Sequence, residues 1–134
     1  MSSRARERVR VRRRFPGRPD QIAAARRLVT ALLGQESPNH EVARLLVSEA
    51  ATNALLHSVS GQRGGSFEVR CEVADGRLRV EVLDQGALTE PRRRVHQADA
   101  LTGRGLELFD ALATRWGASG GRGGHTVWFE LELA

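Results

Sequence analysis

Glu49, Asn53 and His57 recur at four-residue intervals in an otherwise mostly apolar stretch, among Leu46, Ala50, Ala51 and Ala54. On a helix, positions i, i+4 and i+8 line one side. A carboxylate and an amide one turn apart suit a hard cation and a water or hydroxyl nucleophile. The plainer reading is three solvated polar residues on an exposed face.

Three further clusters have chemical potential. Asp84-Gln85-Gly86 follows an apolar alternation. An Asp at a strand end accepts a hydrogen bond from a ligand amino group, and the Gly lets backbone approach a flat ring. Thr102-Gly103-Arg104-Gly105-Leu106 opens a helical pattern. Backbone N–H groups at such an N-terminus favour anions such as phosphate, and Arg104 adds a charge-assisted contact. Gly124-His125-Thr126 begins the last alternating run, where a Thr hydroxyl can bond a base or backbone. Taken singly, each is also an ordinary turn, helix start or strand residue. The second glycine pair is not Gly-x-Gly-x-x-Gly after a strand, so a dinucleotide-binding fingerprint is excluded.

The elements that must position these groups are legible from pattern. Val9 to Arg12 alternates Val and Arg and, continuing to Phe15, reads as an exposed strand with one basic face. Asp20 reads as the N-cap of a helix reaching about Leu33 and ended by Gly34. Ser37, Pro38 and Asn39 start a second helix, from His40 to about His57 or Ser58, followed by a Gly-rich turn over Ser60–Ser66. Phe67–Val73 and Leu78–Leu83 read as strands joined by Asp75-Gly76, a strong hairpin signal. Ala87–Thr102 lacks periodicity and reads as a mobile loop. A third helix runs from near Arg104 to about Thr114, Ala118–Gly124 reads as a turn containing Arg122, and His125–Leu133 reads as a strand with Val127, Phe129, Leu131 and Leu133 on one face and Trp128 opposite. The expected architecture is a two-layer α/β sandwich, helices on one face of a mixed, mostly antiparallel sheet. His40 and His96 read as surface residues and Cys71 as a small core residue.

At 134 residues the chain fits one domain. No apolar run is long enough to span a membrane, and one cysteine excludes an internal disulfide framework, which makes a cytoplasmic setting the default. Residues 1–14 hold seven Arg and one Glu; the remainder holds fourteen Arg against fifteen acidic residues. A basic arm over 1–14, including the start of the first strand, therefore precedes a nearly neutral domain over 15–134. Such an arm reads first as a solvated edge strand and tail, and otherwise as a contact for nucleic acid or an acidic protein. All 21 basic residues are Arg. Without Lys, neither a Walker A loop nor a eukaryotic-type kinase strand lysine is present.

Together, and in this order, Glu49-x-x-x-Asn53-x-x-x-His57, Asp84-x-Gly86, Gly103-x-Gly105-Leu106 and Gly124-x-Thr126 resemble the N, G1, G2 and G3 boxes of the histidine-kinase-like ATPase superfamily, the Bergerat fold. The resemblance covers roughly residues 9–133 and is greatest to small anti-sigma factor serine/threonine kinases, through Ser48–Ala54 and Thr102–Leu108. It implies Glu49 as general base toward a substrate hydroxyl, Asn53 as Mg²⁺ ligand, Asp84 on the adenine amino group with Gly86 beneath the base, Gly103, Arg104, Gly105 and Leu106 around the phosphates, and Thr126 at the adenine end. Ala87–Thr102 becomes an ATP lid, with Arg92, Arg93 and Arg94 as further phosphate contacts. His125 departs from the Lys or Thr many relatives carry. The implied partners are a sigma factor and an antagonist protein phosphorylated on Ser or Thr, and a homodimer is compatible. The competing readings are an ATP-binding module that sequesters a partner without catalysis, and nucleic-acid binding through the arm, which few aromatics support.

Overall fold

A computed structural model describes residues 8–34, 36–57, 64–85, 103–121 and 123–133; the side chains of 57, 103–106 and 121 lie outside that description. Strand β1 (Val9–Pro16) leads through a 3-10 turn (Pro19–Gln21) to helix α1 (Ile22–Ala31) and helix α2 (His40–His57). The hairpin β2 (Ser66–Ala74) and β3 (Arg77–Leu83) follows, then helix α3 (Gly103–Leu112), β4 (Arg115–Gly121) and β5 (Gly124–Glu132). The strands form one five-stranded sheet in the order β1-β2-β3-β5-β4. Every described pairing is antiparallel, so the mixed component expected from sequence is not seen among these strands.

Strict alternation divides the sheet into two faces. In register across it lie Val11, Cys71, Val80, Phe129 and Trp116, which face the helices. One residue along, Arg10, Glu72, Arg79, Glu130 and Arg115 form an alternating row on the outer face. Phe67, Val69, Leu78, Val82 and Leu131 complete the buried side, against Ala25 and Val29 of α1 and the Ala-rich stripe of α2. The hairpin turn puts Asp75 at φ 51° and Gly76 at φ 72°, the left-handed geometry that matches strand twist. No helix among the described residues is long and apolar enough to cross a membrane.

Three boundaries differ from expectation. Asp20 is not an N-cap: it lies within the 3-10 turn after Pro19, and its carboxylate instead accepts from Arg18 Nε at 3.1 Å. Gly34 does end the first helical segment, at φ 81° with its N–H on the Thr30 carbonyl. The expected turn over Ala118–Gly124 is largely strand β4. Its Gly, Ser and Ala residues hide a strand from propensity, and tertiary contacts make it. Trp116 packs on Phe109 with centroids 5.4 Å apart and donates Nε1–H to Asp110 at 2.8 Å. Gly117 leaves room for the Trp128 ring, whose Nε1 would stand 2.7 Å from a Cβ there. The 1–14 boundary cuts β1, which pairs with β2 from Val9 to Pro16. Arg122, Ala87–Thr102 with its arginines and His96, and most of the Ser60–Ser66 turn fall outside the described residues.

Cys71 is 3% exposed, and burial pushes its thiol from 9.0 up to about 11. Below pH 9 the thiol is neutral folded or unfolded. Above it the unfolded chain ionises first, so folding stability falls as pH rises from about 9 to about 11, by roughly 2 to 3 kcal/mol. With no Lys and no Tyr in the chain, little else titrates there. Urea midpoints between pH 8 and 11 should fall for the wild type and stay nearly flat for Cys71→Ala.

Candidate functional site

Helix α2 is the element that carries the first two candidates. Its buried arc is Ala43, Leu46, Val47, Ala50, Ala51 and Ala54, all at most 3% exposed. Asn53 lies at the rim of that arc and is itself 7% exposed. Glu49, one turn earlier, is partly exposed. A buried amide at the rim and a wetter carboxylate beside it face the same way, which is the arrangement their spacing predicted. The helix packs on β2, β3 and β5 and also touches α1 and α3. Ser48 ties it to α1: its hydroxyl donates to the Arg44 carbonyl at 2.7 Å and accepts from Arg26 Nη1 at 3.1 Å. The turn of α2 that carries Glu49 is therefore anchored to α1.

Asp84 follows the last residue of β3 and is clasped by β5. Its N–H donates to the His125 carbonyl at 2.9 Å, and its Oδ1 accepts the His125 N–H at 2.9 Å. The His125 ring Nδ1 stands 3.3 Å from the same oxygen. Only 8% of the Asp84 side chain is exposed. Gly124 makes the clasp possible: at φ 148° it occupies a conformation L side chains rarely adopt, and a Cβ would lie 2.8 Å from the Asp84 carbonyl oxygen. Gln85 then fixes the neighbouring hairpin end by accepting the Ser66 N–H at 2.8 Å.

Gly103, Arg104, Gly105 and Leu106 form the first turn of α3. The first N–H groups of a helix lack intrahelical acceptors, so this turn offers donors to an anion. Helix α3 contacts α2, the helix carrying Glu49 and Asn53. Gly86 lies outside the described residues, as does the His57 side chain.

Thr126 does not join the others. It stands opposite Leu83 and Ser119, on the outer face, because Val127 beside it points into the core. His125 occupies the inward position and meets Asp84. The signal was present in the sequence: the alternation that turns Val127, Phe129 and Leu131 inward also turns residue 125 inward and 126 outward.

No group of three or more His, Cys, Asp or Glu side chains fit for a metal occurs among the described residues. Mg²⁺ needs no such cage, since it commonly uses one or two protein oxygens with waters and substrate phosphates. The Asn53 amide oxygen, buried one helical turn from the Glu49 carboxylate, fits that mode.

Comparison with known proteins places this geometry. The family model of the histidine kinase-like ATPase domain matches residues 15–131. The serine-protein kinase RsbW of Bacillus velezensis is 29% identical over 108 residues, covering 72% of this chain and 68% of that protein. An anti-sigma F factor of Clostridium botulinum is 31% identical over 75 residues, covering 54% of this chain and 52% of its own length. The chain thus spans about half the length of that relative. A crystal structure of the RsbU and RsbW domains of Rv1364c from Mycobacterium tuberculosis matches with a TM-score of 0.70 at 19% identity, over 93% of this chain and 32% of that one, which supports the fold.

The clasp is testable by stability. Asp84→Ala removes the acceptor of a buried N–H and should cost about 1 to 3 kcal/mol, whereas His125→Ala keeps that main-chain bond and should cost less than about 1 kcal/mol. Urea unfolding of the two variants gives the order; equal losses would mean that the His125 ring, not its N–H, holds Asp84.

Proposed function

The chain belongs to the histidine kinase-like ATPase domain family, and we propose that it binds Mg-ATP and transfers the γ-phosphoryl group to a serine or threonine of a partner protein. The observation that carries this reading is the pairing of Glu49 with the buried Asn53 on α2, a helix that α3 contacts. The names of the relatives, a serine-protein kinase and an anti-sigma factor, support it.

In this reading the Asp84 carboxylate, steered by β5, accepts from the adenine amino group, with Gly86 beneath the ring. The N–H groups of Gly103, Gly105 and Leu106 hold phosphate oxygens, with Arg104 adding charge. Asn53 supplies an oxygen to Mg²⁺, which when bound neutralises phosphate charge as the transfer proceeds. Glu49 takes the proton of the incoming hydroxyl as its oxygen bonds to the γ-phosphorus and the bond to ADP breaks. Positioning supplies most of the rate in such transfers, so the tie of Ser48 to α1 contributes by anchoring the α2 turn that carries Glu49. We place Thr126 outside this set and His125 within it, as the residue that orients Asp84. The partners of this chemistry are a sigma factor and its antagonist protein, in a cytoplasmic circuit regulating transcription.

Glu49→Gln should leave Mg-ATP affinity within about threefold by calorimetry and lower phosphotransfer to an antagonist protein by about 10² to 10⁴. Asn53→Ala should weaken Mg-ATP binding by about tenfold or more, as a charge-assisted contact is lost. Absence of heat with millimolar ATP would remove the reading altogether. Binding without labelling of any antagonist by the wild type would leave a sequestering module instead.

A further inference from the structure

The basic residues of β1 play no part in the proposed chemistry, yet their arrangement is ordered. Among the described residues β1 is an edge strand, paired on one side only, by β2. Its even positions Arg10, Arg12 and Arg14, preceded by Arg8, project onto the outer face at intervals of about 7 Å. The side chains of Arg10 and Arg14 are 65% and 69% exposed. Carboxylates do not balance them. Arg8 and Arg10 share Glu72, at 3.0 and 3.3 Å. Arg14 is 3.7 Å from Glu68, which Arg70 grips more closely at 2.8 Å. The three guanidiniums of Arg12, Arg14 and Arg70 hold the Glu68 carboxyl below its usual range, with the Arg70 hydrogen bond the largest cause. Arg12 has no ion pair among the described residues and sits directly opposite Arg70 in the register. Like charges facing each other across strands are destabilising. Beside them opens a groove of about 460 Å³ in which Arg10, Arg12, Arg70 and Arg79 outnumber Glu72 and Glu81. On the other face of the strand, Val9 is 46% exposed.

Charged edge strands in general discourage pairing with other chains. Here all the edge charges have one sign, so the discouragement is selective. Pairing β1 to β1 of a second copy is disfavoured. In an antiparallel pair directly opposed residues share a face. Matching even with even sets Arg against Arg, and matching even with odd continues a charged face as an apolar one. The other edge, β4, offers Arg115, Gly117 and Ser119 on its outer face and no carboxylate.

We propose that the β1 edge is a docking site for an acidic, amphipathic segment of another protein, which adds as a sixth strand. Alternating carboxylates of that strand meet Arg10, Arg12 and Arg14 on the outer face. Its apolar side chains cover Val9 and Val11 on the other, and its main chain pairs with the outward N–H and C=O groups of β1. A nucleic-acid strand satisfies the arginines alone and leaves both the main-chain edge and Val9 uncovered, so the observations favour the peptide.

The test titrates the full chain with three probes: a peptide of about eight residues alternating Glu and Val, its Lys–Val counterpart, and a thymidine oligonucleotide. The Glu–Val peptide should bind saturably, slow hydrogen exchange at β1 amides, and weaken with salt. Arg12→Glu is the variant of choice, because it replaces the Arg12–Arg70 opposition with a complementary pair and should fold at least as stably. It should weaken the Glu–Val peptide by about tenfold, and adding Arg10→Glu should take the loss to about 100-fold and admit the Lys–Val peptide. Unchanged peptide affinity in Arg12→Glu, no saturable binding by the wild type, or tighter oligonucleotide binding without protection of β1 amides would each overturn the proposal.

Discussion

Helix α2 buries a stripe of small residues, Ala43, Ala50, Ala51 and Ala54, with Leu46 and Val47, against the sheet. Alanine side chains let the helix axis come close, and the close approach fixes the rotation of the helix about that axis. That rotation is what places Asn53 at the buried rim and Glu49 just outside it. Had larger residues filled the stripe, the same sequence spacing would have aimed both groups elsewhere. The two short helices adapt to α2: α1 is tied to it through Arg26 and Ser48, and α3 contacts it. The candidate site is thus a consequence of packing, and its polar residues occupy positions that the apolar ones define.

The sheet supplies the second constraint, through period-two alternation. It sorts Val, Leu and Phe to one side and most Arg and Glu to the other, where cross-strand charged neighbours are of opposite sign except Arg12 against Arg70. Most of these ion pairs are exposed and individually contribute little. The Glu130 carboxyl is the exception in burial, at 6% exposure, gripped by Arg79 at 2.8 Å. Its second oxygen lies 3.3 Å from Arg115 Nε without a hydrogen bond being made, an attraction of charges alone. Arg79 also lies over the Trp128 ring at 4.2 Å. This corner, with Gly117 beneath the indole, binds β3, β5 and β4 together from outside.

How much of this was legible beforehand depended on whether local pattern or tertiary contact decided each element. The α2 helix, the Asp75-Gly76 hairpin and the inward face of β5 follow from periodicity and turn chemistry, and the structure has them. β4 was invisible because Arg-Trp-Gly-Ala-Ser-Gly-Gly has no strand-forming alternation; it is a strand because Trp116 finds Phe109 and Asp110 and because β5 pairs along its length. Asp20 looked like a cap, but Pro19 starts a tighter turn first. Thr126 was assigned by its motif position, although the alternation already recognised in β5 pointed it away. The role of Gly124 at the Asp84 clasp needed coordinates, since close approach of two backbones leaves no trace in composition.

The two tryptophans lie on opposite sides of the sheet. Trp116 shares the helix-facing side with Phe109 of α3, whose first turn carries the Gly103–Gly105 donors; Trp128 stands on the outer face between Arg79 and Gly117. The protein therefore contains two native optical reporters of separate events. If the α3 N-terminus binds phosphate as proposed, emission from Trp116 would follow it, and emission from Trp128 would follow the charged outer surface. Replacing either one with Phe isolates the signal of the other, so events at the two faces can be timed independently in one molecule.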